Sequence, residues 1–316
     1  MATTSIKLFP GAAIAAGLLS LVLAACGGAP ADAAINPSTK AVIDARSDAT
    51  PRPTGDAATD GLNWINYRRH EAGLTILTRN PRLDSAALGQ SNYLQSNKTI
   101  THVQSVGQPG FTGVTLTDRL AASGYGFKHD GQAYGEVIAS TSSRSGFNAA
   151  DQLVTAIYHR FVVLEPMSKQ AGAAVSSDAD GIYFTADTAA DGLDQGLGIG
   201  KFITYPAPNQ NLVPTLFHSA GEKPDPVPNR REVGFPVSIH ADLLSIVQVQ
   251  RFSLRPRGGA PIPVQLLTNA SDPNTPTSAA AIIPLDVLTA STTYDVQFVG
   301  RVDGQPVSRS WQFSTQ

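Results

Sequence analysis

The feature that most constrains this chain is a change of hydrophobic period at Tyr205. Before it, apolar residues recur at helical spacing. After it, they alternate as strands do, and one pattern cannot serve both structures. A length of 316 residues suits about two domains. On the amino-terminal side, Thr59 or Asp60 is placed to cap a helix carrying Leu62, Ile65 and Arg69, which Gly73 ends. Asn80 caps a second, with Pro81 in its first turn and Leu83, Ala87, Gln90 and Leu94 on one face. Thr117 opens a short third helix that stops before Gly124, and residues 131–139 read as extended. Asn148 caps a helix bearing Ala150, Leu153 and Ile157, which puts His159 near its carboxyl end. Two short strands around Asp178-Ala179-Asp180 form a hairpin. Helices followed by strands separated by helices predict an α+β unit, a three-layer α-β-α sandwich over residues 56–204.

Beyond Tyr205 the prolines 206, 208, 214, 224, 226 and 228 predict an extended linker over 205–229. Residues 230–316 read as all-β. Tyr294, Val296 and Phe298 alternate with Asp295 and Gln297, and Asp303-Gly304 is a hairpin signal. Trp311 and Phe313 alternate on the return strand, and the mixed phase of Val247 to Leu254 predicts either a bulge or burial on both faces. This stretch resembles a bacterial immunoglobulin-like module, a small β-sandwich. The two units are expected to fold separately on either side of the linker.

The first 25 residues read as a signal peptide. Lys7 supplies a minimal basic region and Ile14 to Leu23 an apolar one. The run closes on Leu23-Ala24-Ala25-Cys26, which resembles the lipobox of bacterial lipoproteins. The only cysteine in the chain sits where that motif needs it. The expectation is a mature chain acylated at Cys26, tethered by a flexible, Ala/Pro/Ser/Thr-rich segment over 26–55, and located in the bacterial cell envelope on the extracytoplasmic side. With Cys26 given to lipid, neither an internal disulfide nor a cysteine nucleophile remains. A net charge of −2 and an isolated Arg230-Arg231 pair argue against nucleic acid as a partner. No Gly-x-Ser-x-Gly elbow occurs, and Gly196, Gly198 and Gly200 lack a strand–loop–helix context, so they read as a turn.

The residues that carry chemistry are His102, Glu136 and His159. Two imidazoles and a carboxylate suit Zn²⁺ and leave a position for water. Their spacing is long, so only tertiary structure can assemble them. Each also has a plain reading: His102 as a solvated loop histidine, Glu136 as an acceptor for neighbouring backbone N–H groups, His159 as a partner of its helix terminus. Asp130 and His129 stand nearby as substitutes.

Asn66, Arg69, Gly73-Leu74, His102, Gly135-Glu136 and His159-Arg160 stand in an order that resembles the CAP superfamily, and within it the bacterial lipoprotein branch. That superfamily spans cysteine-rich secretory proteins, insect venom antigens and plant pathogenesis-related proteins. The resemblance implies a three-layer sandwich with His102, Glu136 and His159 on one cleft. It implies a weakly bound divalent metal, Zn²⁺, and a lipid, another small ligand or an envelope component as partner. Members include lipid and sterol binders, secreted defence and venom proteins, and a few proteases. This chain departs from the pattern at Val137, where asparagine is usual, at Leu153 in place of tryptophan, and at Ala156 in place of a second glutamate. The expected function is therefore non-catalytic binding. A metal-assisted hydrolase and a structural surface protein with a vestigial cleft are the alternatives.

Overall fold

The computed structural model describes residues 2–9 and 50–316. The apolar run, the lipobox at Cys26 and the tether lie outside them. The first unit comprises β1 (Ala2–Phe9), α1 (Ala57–Glu71), β2 (Thr78–Arg79), α2 (Pro81–Asn97), α3 (Leu116–Ala122), β3 (Gln132–Thr141), α4 (Gly146–Thr155), α5 (Ile157–Val163), β4 (Gln170–Ser177) and β5 (Ile182–Asp191). The helices lie on both faces of the sheet: α2 packs on β4 and β5 and carries α3 beside it, while α4 and α5 pack on β3 and α1 packs on α4. This is the α-β-α sandwich.

Local chemistry explains most boundaries. Asn80 accepts a hydrogen bond from the Arg82 N–H and Pro81 opens α2, as the sequence predicts. Three caps lie upstream of the predicted ones. Asp56 rather than Thr59 or Asp60 caps α1. Thr115 rather than Thr117 caps α3, in a reciprocal capping box with Asp118. Ser145 rather than Asn148 caps α4. In each case an earlier side-chain oxygen takes the open N–H groups first. The predicted single helix through His159 breaks at Ala156, which is extended. His159 therefore sits in the first turn of α5, not near a helix carboxyl end.

Residues 2–9, expected to belong wholly to a targeting segment outside the fold, form an antiparallel strand along β3, from Ala2 opposite Ala139 to Phe9 opposite Gln132. The physical reason is that the β3 edge offers unpaired backbone groups to an extended segment. Cleavage before Cys26 would bare that edge.

The second unit contains β6 (Phe202–Tyr205), β7 (Gln210–Val213), β8 (Leu216–Phe217), β10 (Val233–Gly234), β11 (Val237–Ala241), β12 (Val247–Pro256), β13 (Val264–Thr268), β14 (Ala279–Pro284), β15 (Thr293–Val302) and β16 (Gln305–Thr315), while β9 (Glu222–Lys223) runs parallel to β1 in the sheet of the first unit. Two four-stranded sheets, ordered β13-β14-β11-β6 and β12-β15-β16-β7, make the sandwich. The predicted bulge falls between Val249 and Arg251. Asp303 and Gly304 both take positive φ, as a tight hairpin requires.

The predicted boundary at 230 is too late, and the linker is not a linker throughout. Its Gln210–Val213 stretch runs beside β16, and the sandwich begins at Phe202. Nor are the units separate. One buried cluster runs from Leu62 and Ile65 through Phe184 to Tyr205, Phe235 and Phe298. Arg160, fully buried, fixes the junction. It donates to the carbonyls of Val154 at 2.6 Å, Thr155 at 3.1 Å and, across the junction, Pro236 at 2.7 Å. Its guanidinium lies 4.8 Å from the ring centroids of both Tyr205 and Phe235. No proline pattern reports this, because the seal is made by side chains far apart in sequence.

Candidate functional site

β3 organises the site through its alternation. A Cβ on Gly135 would lie 2.6 Å from Val162 Cγ1 of α5, so the absent side chain admits that helix. Glu136, the next residue, points to the opposite face, toward α2 and α3. Its carboxylate is buried and both oxygens are engaged. Oε1 lies 2.7 Å from His102 Nδ1, and Oε2 accepts from Arg119 Nη2 at 2.6 Å. With Glu136 ionised, the His102 Nδ1–H is the donor.

Three elements bring these groups together. α3 supplies Arg119, which also donates to the His102 carbonyl at 3.2 Å. The loop after α2 supplies His102 and is pinned by the buried Gln104, whose side chain donates to Gln90 Oε1 at 2.9 Å and accepts from the Thr112 N–H at 2.7 Å. Gln90 in turn donates to the Thr101 carbonyl at 2.5 Å. Burial pushes the Glu136 carboxyl up, but the His102 hydrogen bond and the Arg119 charge outweigh it and hold the group below its ordinary value.

A second carboxyl joins this network, one that sequence reasoning missed. Asp187 of β5 stands directly opposite Glu136 in the strand register. It is fully buried, and neither of its oxygens has a hydrogen-bond partner. Burial, followed by the charge of Glu136, pushes its carboxyl well above the ordinary range, which favours the protonated form. The available signal was an acid in the middle of a strand of small and apolar residues, Thr185-Ala186-Asp187-Thr188-Ala189. Arg119, also missed, was legible only as a buried-side arginine beside the capping box of α3.

His159 does not reach this site. It lies on α5, on the Gly135 side of the sheet, and its Nδ1 is 3.0 Å from Glu222 Oε1 with both side chains fully buried. Glu222 also accepts from the backbone N–H groups of Ile157, Tyr158 and His159 at 2.9, 2.7 and 3.3 Å. It caps α5 from 65 residues away, a role that no local pattern discloses. The predicted triad is thus a His102–Glu136 pair, with the sheet between it and His159. The substitute His129 pairs with Asp191 at 3.3 Å on the surface.

Zn²⁺ does not fit these residues as expected. One imidazole is on the wrong side of the sheet, and the second oxygen of Glu136 is held by the fixed cation of Arg119. Among the described residues, no group of three or more His, Cys, Asp or Glu is placed to hold a metal. The departures from the family pattern have plain places: Val137 and Leu153 are core residues, and Ala156 is the break between α4 and α5.

Above the pair lies a cavity of about 40 Å³ lined by His102, Val103, Thr115, Leu116, Thr117, Tyr134 and Glu136. The Thr117 hydroxyl and the Tyr134 hydroxyl are bonded to each other at 2.7 Å on its rim. A space of that size holds about one water or one small polar group.

Residues 62–188 match the model of the CAP family, described as the cysteine-rich secretory protein family. The α-β-α unit that holds these residues is a CAP domain. Among solved structures, the chain is similar to an extracellular protein containing an SCP domain from Bacillus anthracis, at 24% identity and TM-score 0.34, with 42% of this chain and 40% of that one covered. An outer surface protein of Borrelia burgdorferi matches at 18% identity and TM-score 0.34, covering 42% of this chain and 90% of that one. A cysteine-rich secretory protein of Staphylococcus aureus matches at 15% identity and TM-score 0.30, covering 44% and 40%. The match thus spans less than half of the first of these proteins. No curated protein matches the chain.

Proposed function

We propose that this is an envelope-tethered, extracytoplasmic CAP-domain protein whose His102–Glu136 cleft binds a small polar group of a ligand, without catalysis and without a metal. The observation that carries the reading is the occupation of Glu136: one oxygen is held by His102 and the other by Arg119, at 2.7 and 2.6 Å. A carboxylate fixed on both sides is a poor general base and a poor metal ligand, because either role requires it to give up a charge-assisted bond. The cavity of about 40 Å³ suits a hydroxyl, amide or ammonium group rather than the body of a lipid. The remainder of a ligand would lie over the mouth, beside the exposed Val103 and Val114. The lipobox at Cys26 supports membrane tethering.

Two measurements test the reading. Zinc titrated calorimetrically into the full chain and into His102→Ala is expected to give no specific heat in either. Stoichiometric binding lost in the variant would overturn the metal-free reading. Glycerol, acetamide and ethanolamine, followed through the His102 imidazole resonances, are expected to shift them in the wild type at millimolar concentration. Silence to all three would refute the polar cleft.

A further inference from the structure

A concavity larger than the cavity above His102 and Glu136 lies outside the CAP domain. It is a trough of about 880 Å³ on the outer face of the sheet β12-β15-β16. Register defines its floor. Ser253 stands opposite Gln297 and Arg255 opposite Asp295, while Gln297 and Asp295 stand opposite Ser310 and Gln312. Directly opposed residues share a face, so the floor is a continuous polar array across three strands. Phe252 and Leu254, the alternate residues, are buried in the sandwich. Pro208 and Asn209 wall one side, held by Gln312 donating to Asn209 Oδ1 at 2.8 Å. Pro261 walls the other.

Charge selects the occupant. Arg251 and Arg255 lie on the same face of one strand, about 13 Å apart at the rise of a β-strand. Among the described residues, Arg251 has no carboxylate partner. The trough's one acid, Asp295, lies 3.7 Å from Arg255 and 2.9 Å from Arg257 and is neutralised locally. The chain as a whole carries −2, so a local excess of guanidinium is not a general property of the surface. Guanidinium groups recognise carboxylates and phosphates, and amides and hydroxyls between them suit a chain of hydroxyls. A trough with no apolar floor does not suit an oily small molecule. Single-stranded nucleic acid calls for exposed aromatic platforms, and the one aromatic here, Trp311, is buried with its N–H donated to the Pro206 carbonyl. We propose that this trough is a second binding site, independent of the CAP cleft, for an acidic polysaccharide lying across β12, β15 and β16.

The test uses the full chain in detergent. Oligogalacturonate and inorganic polyphosphate are titrated at physiological ionic strength, with neutral dextran and single-stranded DNA as comparisons. The expected result is saturable binding of an anionic probe, none of dextran, and at least a tenfold loss in Arg251→Ser/Arg255→Ser with an unchanged unfolding midpoint. Arg144→Ser, on the CAP domain, should bind as the wild type does. Preference for oligogalacturonate assigns the anion as a uronic carboxylate. Preference for polyphosphate assigns it as a phosphodiester glycan. Absence of binding, binding indifferent to the double substitution, or tighter binding of the DNA would each overturn the proposal. His102→Ala should leave this binding intact, so its outcome is separable from that of the CAP cleft.

Discussion

Replacing Glu165 with glutamine should make the protein more stable in alkali. Glu165 follows α5, half-buried where the loop between β11 and β12 approaches the CAP domain. Burial pushes its carboxyl up to about 8 from an ordinary 4.5; the Met167 N–H bond and the Arg69 charge lower it, while Asp242 raises it again. A raised carboxyl means that the fold prefers the neutral form. Between pH 4.5 and about 8, the unfolded chain releases this proton and the folded chain retains it. Stability therefore falls as pH rises through that window and levels off above it. At about 1.4 kcal/mol per pH unit the ceiling is about 5 kcal/mol, and partial exposure reduces it to about 2 kcal/mol. Glu165→Gln copies the neutral form and lacks the slope. Urea unfolding at pH 5, 7 and 8.5 should give nearly equal stabilities for the two proteins at pH 5 and a gap of about 2 kcal/mol in favour of the variant at pH 8.5. The raised Asp187 adds a similar slope to both proteins, so the difference isolates Glu165. Parallel pH profiles would refute the argument.

Arg119→Met strands the buried Glu136 charge and should cost about 3–5 kcal/mol; adding Glu136→Gln should recover part of it in a double-mutant cycle, and additivity would contradict the pairing. Gly135→Ala pushes a methyl into Val162 and should cost about 1–3 kcal/mol in thermal unfolding, with Val162→Ala relieving it. Because Arg160 and a shared core join the two units, heating should give one transition seen equally by far- and near-ultraviolet circular dichroism; two transitions would contradict the fused junction. Cys26→Ser should release the chain from the membrane fraction, and unchanged fractionation would argue against acylation.

Local physics was legible in the sequence. Asn80-Pro81, the Val249–Arg251 bulge, the Asp303-Gly304 turn and the alternation of Tyr294, Val296 and Phe298 each depend on neighbours a few residues away, and each appears where predicted. The α-β-α order followed from the succession of such segments, and the pairing of His102 with Glu136 from the family resemblance. What distance decided was lost. Helical spacing and the His159-Arg160 motif placed His159 in the cleft, but they do not state which face of a sheet a helix covers. That is set by Gly135, whose missing side chain draws α5 to the face opposite Glu136. The partner of His159, the second carboxyl at Asp187 and the guanidinium at Arg119 were all supplied by segments remote in sequence. Buried charge must find a partner or lose its ionisation wherever the fold provides one, and only the tertiary structure names that place.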